Sequence, residues 1–312
     1  MDVVDLLLEL GGVARRSALL RVVTRADLER SLEAGEVVRD ARGLYALPDV
    51  DSAVRVAARL GGVLSLTSAA LHRGWAVKTV PDRPHVTVSR GRKVVDRLAH
   101  VHWAELAPGQ VDGWATSVEV TLENCLRRLP FDEALAVADS ALREGVGAAV
   151  LERIADSARG PGSPQIRRVV AEASPLAANP FESALRAIAL DVPGLDMRPQ
   201  VTITDGDFAV RPDLVDERLR IVGEADSFGW HGGRAALASD ARRYNMLVIN
   251  GWIVLRFCYE DVMFHPEQVR RVLIAAVALA EMLRHVGPQR PAPRDARCDG
   301  RLGAVVRQGH RR

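Results

Sequence analysis

Residues 198–232 read RPQVTITDGDFAVRPDLVDERLRIVGEADSFGWHG, and this stretch decides the fold of the C-terminal half of the chain. Apolar and polar side chains alternate in three short runs, which is the pattern of half-buried strands. Polar turns separate the runs at Asp205-Gly206 and at Asp216-Glu217. The stretch therefore predicts an antiparallel meander of three strands at residues 200–204, 208–214 and 219–225.

Helical periodicity surrounds these strands. Residues 179–190 predict a helix with Asn179 as its N-cap. Residues 234–251 predict a second helix, 252–257 (WIVLRF) a further strand and 266–286 a last helix. A strand, a helix and another strand in this order favour a crossover connection within one sheet. We therefore expect an α/β (α+β overall) fold, with a mixed sheet flanked by helices in residues 179–285.

Acidic residues cluster on the predicted strands. Asp213 precedes Glu224 and Asp226 by a hairpin, and the last two point to the same face because strand side chains have a period of two. Carboxylate oxygens at one strand end are the ligands that Mg²⁺ prefers. The pattern predicts that Asp213, Glu224 and Asp226 bind Mg²⁺ or Mn²⁺. The alternative is that these acids are turn residues and a solvated strand face.

The same residues resemble a known nuclease group. Pro-Asp, a spacer and Glu-x-Asp resemble the PD-(D/E)XK nuclease superfamily, most closely the endonuclease-like domain related to very-short-patch-repair enzymes. This resemblance implies a restriction-endonuclease-like fold and a metal-dependent DNA endonuclease. One motif of this group falls on the strand GWIVLRFCYED at residues 251–261. The others imply five catalytic residues, which are Glu182, Asp213, Glu224, Asp226 and His231.

One position departs from the superfamily pattern. Asp226 stands where the superfamily has a lysine. The resemblance implies that His231 takes over part of that chemistry as a general acid or base. Arg242 and Arg243, on the helix that follows, are predicted to contact phosphate. The alternative is an inert domain, because crowded carboxylates without a cation raise one another's pKa.

Residues 1–50 predict a winged helix-turn-helix, with three short helices followed by a hairpin. Arg25 and Arg30 of the third helix and Arg39 and Arg42 of the wing would then contact DNA. The segment has seven arginines and nine acidic residues, so it is not basic overall. A protein-interaction module therefore remains the alternative.

The other segments are predicted from composition and resemblance. Residues 51–158 predict a mixed α/β region, and residues 1–158 resemble the antitoxin of type IV abortive-infection systems. That resemblance implies a transcriptional regulator, a possible cognate toxin and a possible homodimer.

His85, His100 and His102 fall on predicted strands. They form either an incomplete metal site or imidazoles that face solvent, and the sequence leaves both interpretations open. Residues 159–178 predict a linker, and 286–312 predict a disordered tail with a local charge of +5 from Arg290 onward.

Composition excludes several classes of protein. The 312 residues are 48% hydrophobic and 26% charged, as in ordinary globular chains. Three dispersed cysteines predict reduced thiols in the cytoplasm, and no apolar run is long enough for a membrane span. No P-loop, dinucleotide fingerprint, nucleophile elbow or HExxH motif occurs. The sequence thus favours a DNA-binding endonuclease, with a non-catalytic regulator of degenerate nuclease fold as the alternative.

Overall fold

The computed structural model has an α/β fold that combines helices with mixed parallel and antiparallel sheets, as the sequence predicted. The structure describes residues 1–94, 97–205, 208–226 and 234–286. Within these ranges no helix combines the length and the apolar character that a membrane crossing needs.

Residues 1–50 form three helices around a small sheet of order β1-β3-β2. Thr24 begins the third helix with a capping box, because its hydroxyl and the Asp27 carboxylate each satisfy a backbone N–H of the first turn. Leu7, Leu19 and Leu28 are buried together beneath the three helices. The elements are α1 (Val3–Glu9), β1 (Val13–Arg15), α2 (Arg16–Leu19), α3 (Arg25–Glu33), β2 (Val38–Ala41) and β3 (Leu44–Ala46).

The second helix is shorter than the sequence suggested. Residues 14–23 predict one helix, but residues Val13–Arg15 form strand β1 and only Arg16–Leu19 are α-helical. β1 pairs antiparallel with β3 and so completes the sheet behind the hairpin. The pairing buries Val13 and Ala14, and this tertiary contact outweighs the helical pattern.

Residues 52–172 form a five-stranded sheet of order β6-β5-β4-β8-β7 and a group of helices. The sheet packs on helix α4, and helices α6 to α9 enclose a second core that contains Leu122, Leu126 and Leu135. The elements are α4 (Ser52–Leu60), β4 (Val63–Leu64), α5 (Leu66–His72), β5 (His85–Val88), β6 (His100–Trp103), a 3₁₀ turn (Pro108–Gln110), β7 (Val111–Asp112), β8 (Ala115–Thr116), α6 (Val118–Arg128), α7 (Phe131–Arg143), α8 (Ala148–Ser157) and α9 (Ser163–Glu172).

The segment predicted as a linker, 159–178, contains helix α9. Ile166 and Val169 of this helix are fully buried against α6 and α7, so the segment belongs to the helical core. The glycines and prolines at its two ends mark helix boundaries and not an extended connection.

The C-terminal region contains a four-stranded sheet of order β14-β13-β12-β9 and a separate hairpin of β10 and β11. β13 and β14 run parallel and α11 connects them, which is the predicted crossover. The elements are α10 (Pro180–Leu190), β9 (Arg198–Pro199), β10 (Ile203–Asp205), β11 (Phe208–Val210), β12 (Leu214–Asp216), β13 (Ile221–Asp226), α11 (Arg234–Ile249), β14 (Ile253–Cys258), α12 (Tyr259–Phe264) and α13 (Pro266–Val286).

The predicted three-strand meander is divided between two sheets, although its consecutive strands pair antiparallel as predicted. The predicted strand 208–214 is divided into β11 and the start of β12, and β12 pairs with β13 and β9 while β11 pairs with β10. Pro212 has no N–H for a ladder, and Gln200 has a φ of 56°, which interrupts an extended chain. These two residues separate the hairpin from the main sheet.

Candidate functional site

The candidate site lies where β12 and β13 meet the first turn of α10 and the middle of α11. Asp213 comes directly before β12, and Glu224 and Asp226 are on β13. Val222 faces the core beneath α11, so Glu224 and Asp226, two and four residues further, point to the same side of the sheet. The predicted shared face of the two acids is therefore present.

A glutamine connects two of the predicted acids. Gln200 Nε2 donates to Glu182 Oε2 and to Asp213 Oδ1, in both cases at 3.3 Å. Asp213 Oδ2 accepts the Ala225 N–H at 2.9 Å. The carboxylate of Asp213 is thus held by the backbone of β13 and by the side-chain amide of Gln200. The same amide connects it to Glu182.

Glu182 is 6% exposed, and it is held at the start of α10 by the loop before it. Its two carboxylate oxygens accept the Ala178 N–H and the Asn179 side-chain amide, each at 2.9 Å. Burial raises the pKa of Glu182, and the nearby charge of Asp213 adds to this shift. Both oxygens of Glu182 therefore have hydrogen-bond donors. Its negative charge is nevertheless disfavoured by burial, and a bound cation would offset that cost.

Glu224 is the least satisfied acid of the group. It is 4% exposed, and one oxygen, Oε2, accepts the Asp213 N–H at 3.3 Å. The other oxygen, Oε1, is buried and has no hydrogen-bond donor. Burial raises the pKa of Glu224 to about 7, with Asp213 contributing in the same direction and Arg243 opposing it. A buried carboxylate oxygen without a donor is unfavourable, so this atom is suited to bind a positive ligand.

Arg243 is the cation nearest to Glu224 in the described part of the chain. Its Nη2 lies 3.5 Å from Glu224 Oε1 and the same distance from Asp240 Oδ1, in contacts that are ion pairs and not hydrogen bonds to Glu224. The same nitrogen donates to the Tyr244 hydroxyl at 2.8 Å. Arg243 is half-buried against the acids, whereas Arg242, predicted with it to contact phosphate, is exposed.

Asp226 is engaged by a different arginine. Its Oδ2 pairs with Arg256 Nε of β14 at 2.5 Å. This arginine also lies over the Tyr244 ring, 4.5 Å from the centroid. The carboxylate of Asp226 is thus directed to Arg256, and its role as a third metal ligand stays a prediction.

The acids fit a two-carboxylate cation site more closely than a three-carboxylate site. No three His, Cys, Asp or Glu side chains among the described residues converge as a metal cluster would require. Asp213 and Glu224 remain adjacent, and Glu224 Oε1 lacks a donor. Mg²⁺ is usually bound by one or two carboxylates together with waters. His231, the predicted acid or base, lies outside the described residues.

Sequence reasoning missed Gln200, Tyr244 and Arg256. Arg256 is two residues before Cys258 in β14, and its parallel register with Glu224 follows only from the sheet pairing. Gln200 lies in a loop, and nothing in its sequence neighbourhood marks it as a bridge. Only the alternation of residues 252–257 could have placed Arg256 on the face of the acids.

The four arginines of residues 1–50 that are predicted to contact DNA have different environments. Arg25 pairs with Glu29 at 2.8 Å, and Arg30 pairs with Asp27, both on the exposed surface of α3. Arg39 lies over the Tyr45 ring, and Arg42 is exposed at the turn of the wing. Exposed pairs of this kind contribute about 0.2–1 kcal/mol, so a phosphate can compete for these guanidinium groups.

The three histidines considered from sequence do lie together. His85 Nδ1 is 2.9 Å from His102 Nε2, and His100 pairs with Asp82 at 2.7 Å. Burial and the neighbouring imidazoles lower the pKa of His85 to about 4. His85 and His102 thus share a hydrogen bond between β5 and β6, and His100 is bonded to Asp82.

Comparison with known proteins identifies relatives without a described activity. The chain is 28% identical over 263 residues to Uncharacterized protein Rv2248 of Mycobacterium tuberculosis (strain H37Rv), and equally to Uncharacterized protein MT2308 of strain CDC 1551; the match covers 78% of this chain and 93% of each relative. The crystal structure of the RV2827C protein from the same species covers 58% of this chain and 78% of its own, at 17% identity and a TM-score of 0.31, which is too low to indicate a shared fold. No family model matches the chain.

Proposed function

We propose that this protein binds DNA in the cytoplasm and that its C-terminal region hydrolyses a phosphodiester bond with the help of Mg²⁺ or Mn²⁺. The observation that carries the proposal is the buried Oε1 of Glu224, which has no hydrogen-bond donor; the other oxygen of this carboxylate accepts the Asp213 N–H. A carboxylate that is buried, unsatisfied and raised in pKa is typical of a site that binds a cation or transfers a proton.

Asp213 and Glu224 would hold the cation. When bound, a divalent cation lowers the pKa of a coordinated water and neutralises charge that develops on the phosphate. Gln200 and the Ala225 N–H keep the Asp213 carboxylate in place, so this ligand is oriented before a cation arrives. Glu182 is connected to Asp213 through Gln200 and would order water on that side of the site.

Arg243 and Asp226 have separate roles in this proposal. Arg243 faces Glu224 at 3.5 Å and is partly exposed, so it can move to a phosphate oxygen when a metal neutralises the carboxylate. Asp226 orients Arg256 and is not a metal ligand. His231 remains a prediction from the resemblance as the general acid or base.

The N-terminal region would provide the contact with DNA. The order of α1, β1, α2, α3, β2 and β3, with a three-stranded sheet behind α3, is the arrangement in which a recognition helix and a wing contact a duplex. Arg25 and Arg30 are exposed on α3, and Arg42 is exposed on the wing. The toxin partner and the homodimer remain predictions from the resemblance.

A non-catalytic regulator is the second candidate, and one observation favours it. Arg243 already lies where a cation would balance Glu224, so the acids are partly neutralised by the chain itself. In that case the acids stabilise α11 on the sheet, and the protein acts through DNA binding alone.

Cleavage of supercoiled plasmid separates the two candidates. Wild type is incubated with Mg²⁺ or Mn²⁺ beside Glu224→Gln, with Asp191→Asn, an exposed acid remote from the site, as the matched control. We expect wild type and the control to nick the plasmid and Glu224→Gln to lose at least about a hundredfold of the rate. Retained DNA binding without nicking by wild type would contradict the nuclease proposal and support the regulator.

A further inference from the structure

A short basic loop follows strand β5 in the middle of the chain. Residues 89–93 are exposed, and they include Arg90, Arg92 and Lys93. The Arg92 N–H donates to the Ser89 carbonyl at 3.0 Å, so the loop begins with a defined turn. The three cationic side chains are therefore displayed at one end of the five-stranded sheet.

The loop is packed against the end of helix α4. A Cβ atom added to Gly61, the residue that ends α4, would lie 2.5 Å from the guanidinium carbon of Arg92. Gly61 has a φ of 62°, so the helix ends in a left-handed residue that leaves room for this guanidinium group. Arg92 consequently lies directly on the C-terminal end of α4.

The wing is attached to the same end of α4. Arg59, two residues before Gly61, holds both oxygens of the Asp40 carboxylate, at 2.7 and 2.8 Å. Asp40 belongs to strand β2 of the wing, and Arg42 follows it at the exposed turn. The C-terminal end of α4 therefore brings the wing and the basic loop to one side of the molecule.

The charges of the loop are available to a partner. Arg90, Arg92 and Lys93 form no ion pair with the carboxylates of the described residues. The Glu105 carboxylate accepts the backbone N–H of Arg90 at 2.8 Å and leaves the Arg90 guanidinium group to solvent. Three cationic side chains on an exposed turn attract the phosphate backbone of a duplex.

Trp103 adds an aromatic surface beside these charges. It is 52% exposed, and its indole N–H donates to the Arg92 carbonyl at 3.1 Å. This hydrogen bond fixes the ring next to the loop. A tryptophan with an exposed ring and a bonded indole N–H, held beside a basic turn, is the kind of side chain that binding interfaces favour.

We infer that residues 89–93 and Trp103 form a second contact with duplex DNA, next to the wing and on the phosphate backbone. This inference rests on the proposed DNA binding of residues 1–50. The loop contributes affinity that does not depend on base sequence, because its side chains are long, flexible and cationic. The bound duplex would extend from α3 across the wing to the end of α4.

Fluorescence anisotropy with a labelled mixed-sequence duplex tests the inference. Binding of the full chain is measured over a range of KCl concentrations in EDTA, so that cleavage does not interfere. Arg90→Ala/Lys93→Ala is compared with Arg153→Ala/Arg284→Ala, which removes two exposed arginines from α8 and α13. We expect the loop variant to bind about ten- to a hundredfold more weakly at 0.1 M salt and to lose about two from the slope of log K against log salt.

Two further variants make the outcomes distinct. Arg25→Ala/Arg30→Ala reports on the winged helix itself, and Trp103→Phe should lose a fluorescence change that accompanies binding of the unlabelled duplex. If wild type binds and the loop variant matches the α8 and α13 control, the second contact is refuted while the DNA-binding proposal stands. If wild type does not bind any duplex, both proposals are refuted.

Discussion

Two buried acids, each facing an arginine, differ in how completely their oxygens are satisfied. Asp139 of α7 is fully buried, and its oxygens accept from Arg186 Nη2 at 2.7 and 2.6 Å, from Ser183 at 2.7 Å and from the Ser174 N–H at 2.8 Å. Glu224 is equally enclosed, but Arg243 approaches only to 3.5 Å and Oε1 has no donor. One carboxylate is saturated and the other is not.

The difference separates a structural pair from a binding site. The bonds of Asp139 join α7 to α10 and to the segment after α9, so they connect the helical core to the first helix of the C-terminal region. Glu224 leaves part of its charge uncompensated, and burial raises its pKa to about 7. A buried carboxylate is well accommodated when hydrogen-bond donors satisfy all of its oxygens. A carboxylate oxygen without a donor favours the binding of an additional, positively charged ligand.

Removal of the saturated carboxylate of Asp139 should have the largest effect. Asp139→Ala would leave Arg186 buried without its carboxylate, and we expect a loss of about 3–5 kcal/mol in the free energy of unfolding. Urea denaturation measures this loss, with Asp191→Ala of the exposed pair with Arg168 as the control. A loss below about 1 kcal/mol, the size of a surface pair, would contradict the account.

Neutralising the unsatisfied acid should have the opposite sign. The pKa of Glu224 is near 7 in the folded chain and near 4.5 when unfolded, so its ionisation costs stability as pH rises between these values. We expect Glu224→Gln to be about 2 kcal/mol more stable than wild type at pH 8, and this advantage to shrink as pH falls toward 5. Urea denaturation over this pH range measures both quantities. An advantage that did not change with pH would contradict the raised pKa.

The exposed pair on β13 and β14 should have the smallest effect. Asp226 and Arg256 are 35% and 48% exposed, so Asp226→Asn is expected to cost at most about 1 kcal/mol in the free energy of unfolding. Because Asp226 is not a metal ligand in this account, the variant should also keep the affinity of wild type for Mn²⁺. A large loss of affinity would return Asp226 to the metal site.

Local features of the fold were predictable from the sequence. Asn179 begins its helix as expected, because a side chain and the adjacent backbone decide an N-cap. The crossover from β13 through α11 to β14 followed from alternation and length. The division of the meander did not, because it depends on the φ of Gln200 and on the partner that each short strand finds.

The candidate site was predictable in part for the same reason. A two-residue period placed Glu224 and Asp226 on one face, but it could not choose between the arginines of α11 and β14 that approach them. The assignment of Asp226 to Arg256 and of Gln200 to two carboxylates requires the tertiary structure. The winged-helix arginines, in contrast, are identified by sequence and remain a prediction as DNA contacts.

Calorimetric titration of Mn²⁺ into the full chain at pH 8 tests the central claim most directly. Wild type, Asp213→Asn and Glu224→Gln are compared with Asp191→Asn as the control. The account predicts one site in wild type and in the control, and a loss of affinity of at least about tenfold in each of the other variants. Equal affinity in all four proteins, or no binding to wild type, would contradict the assignment of Asp213 and Glu224 as a cation site.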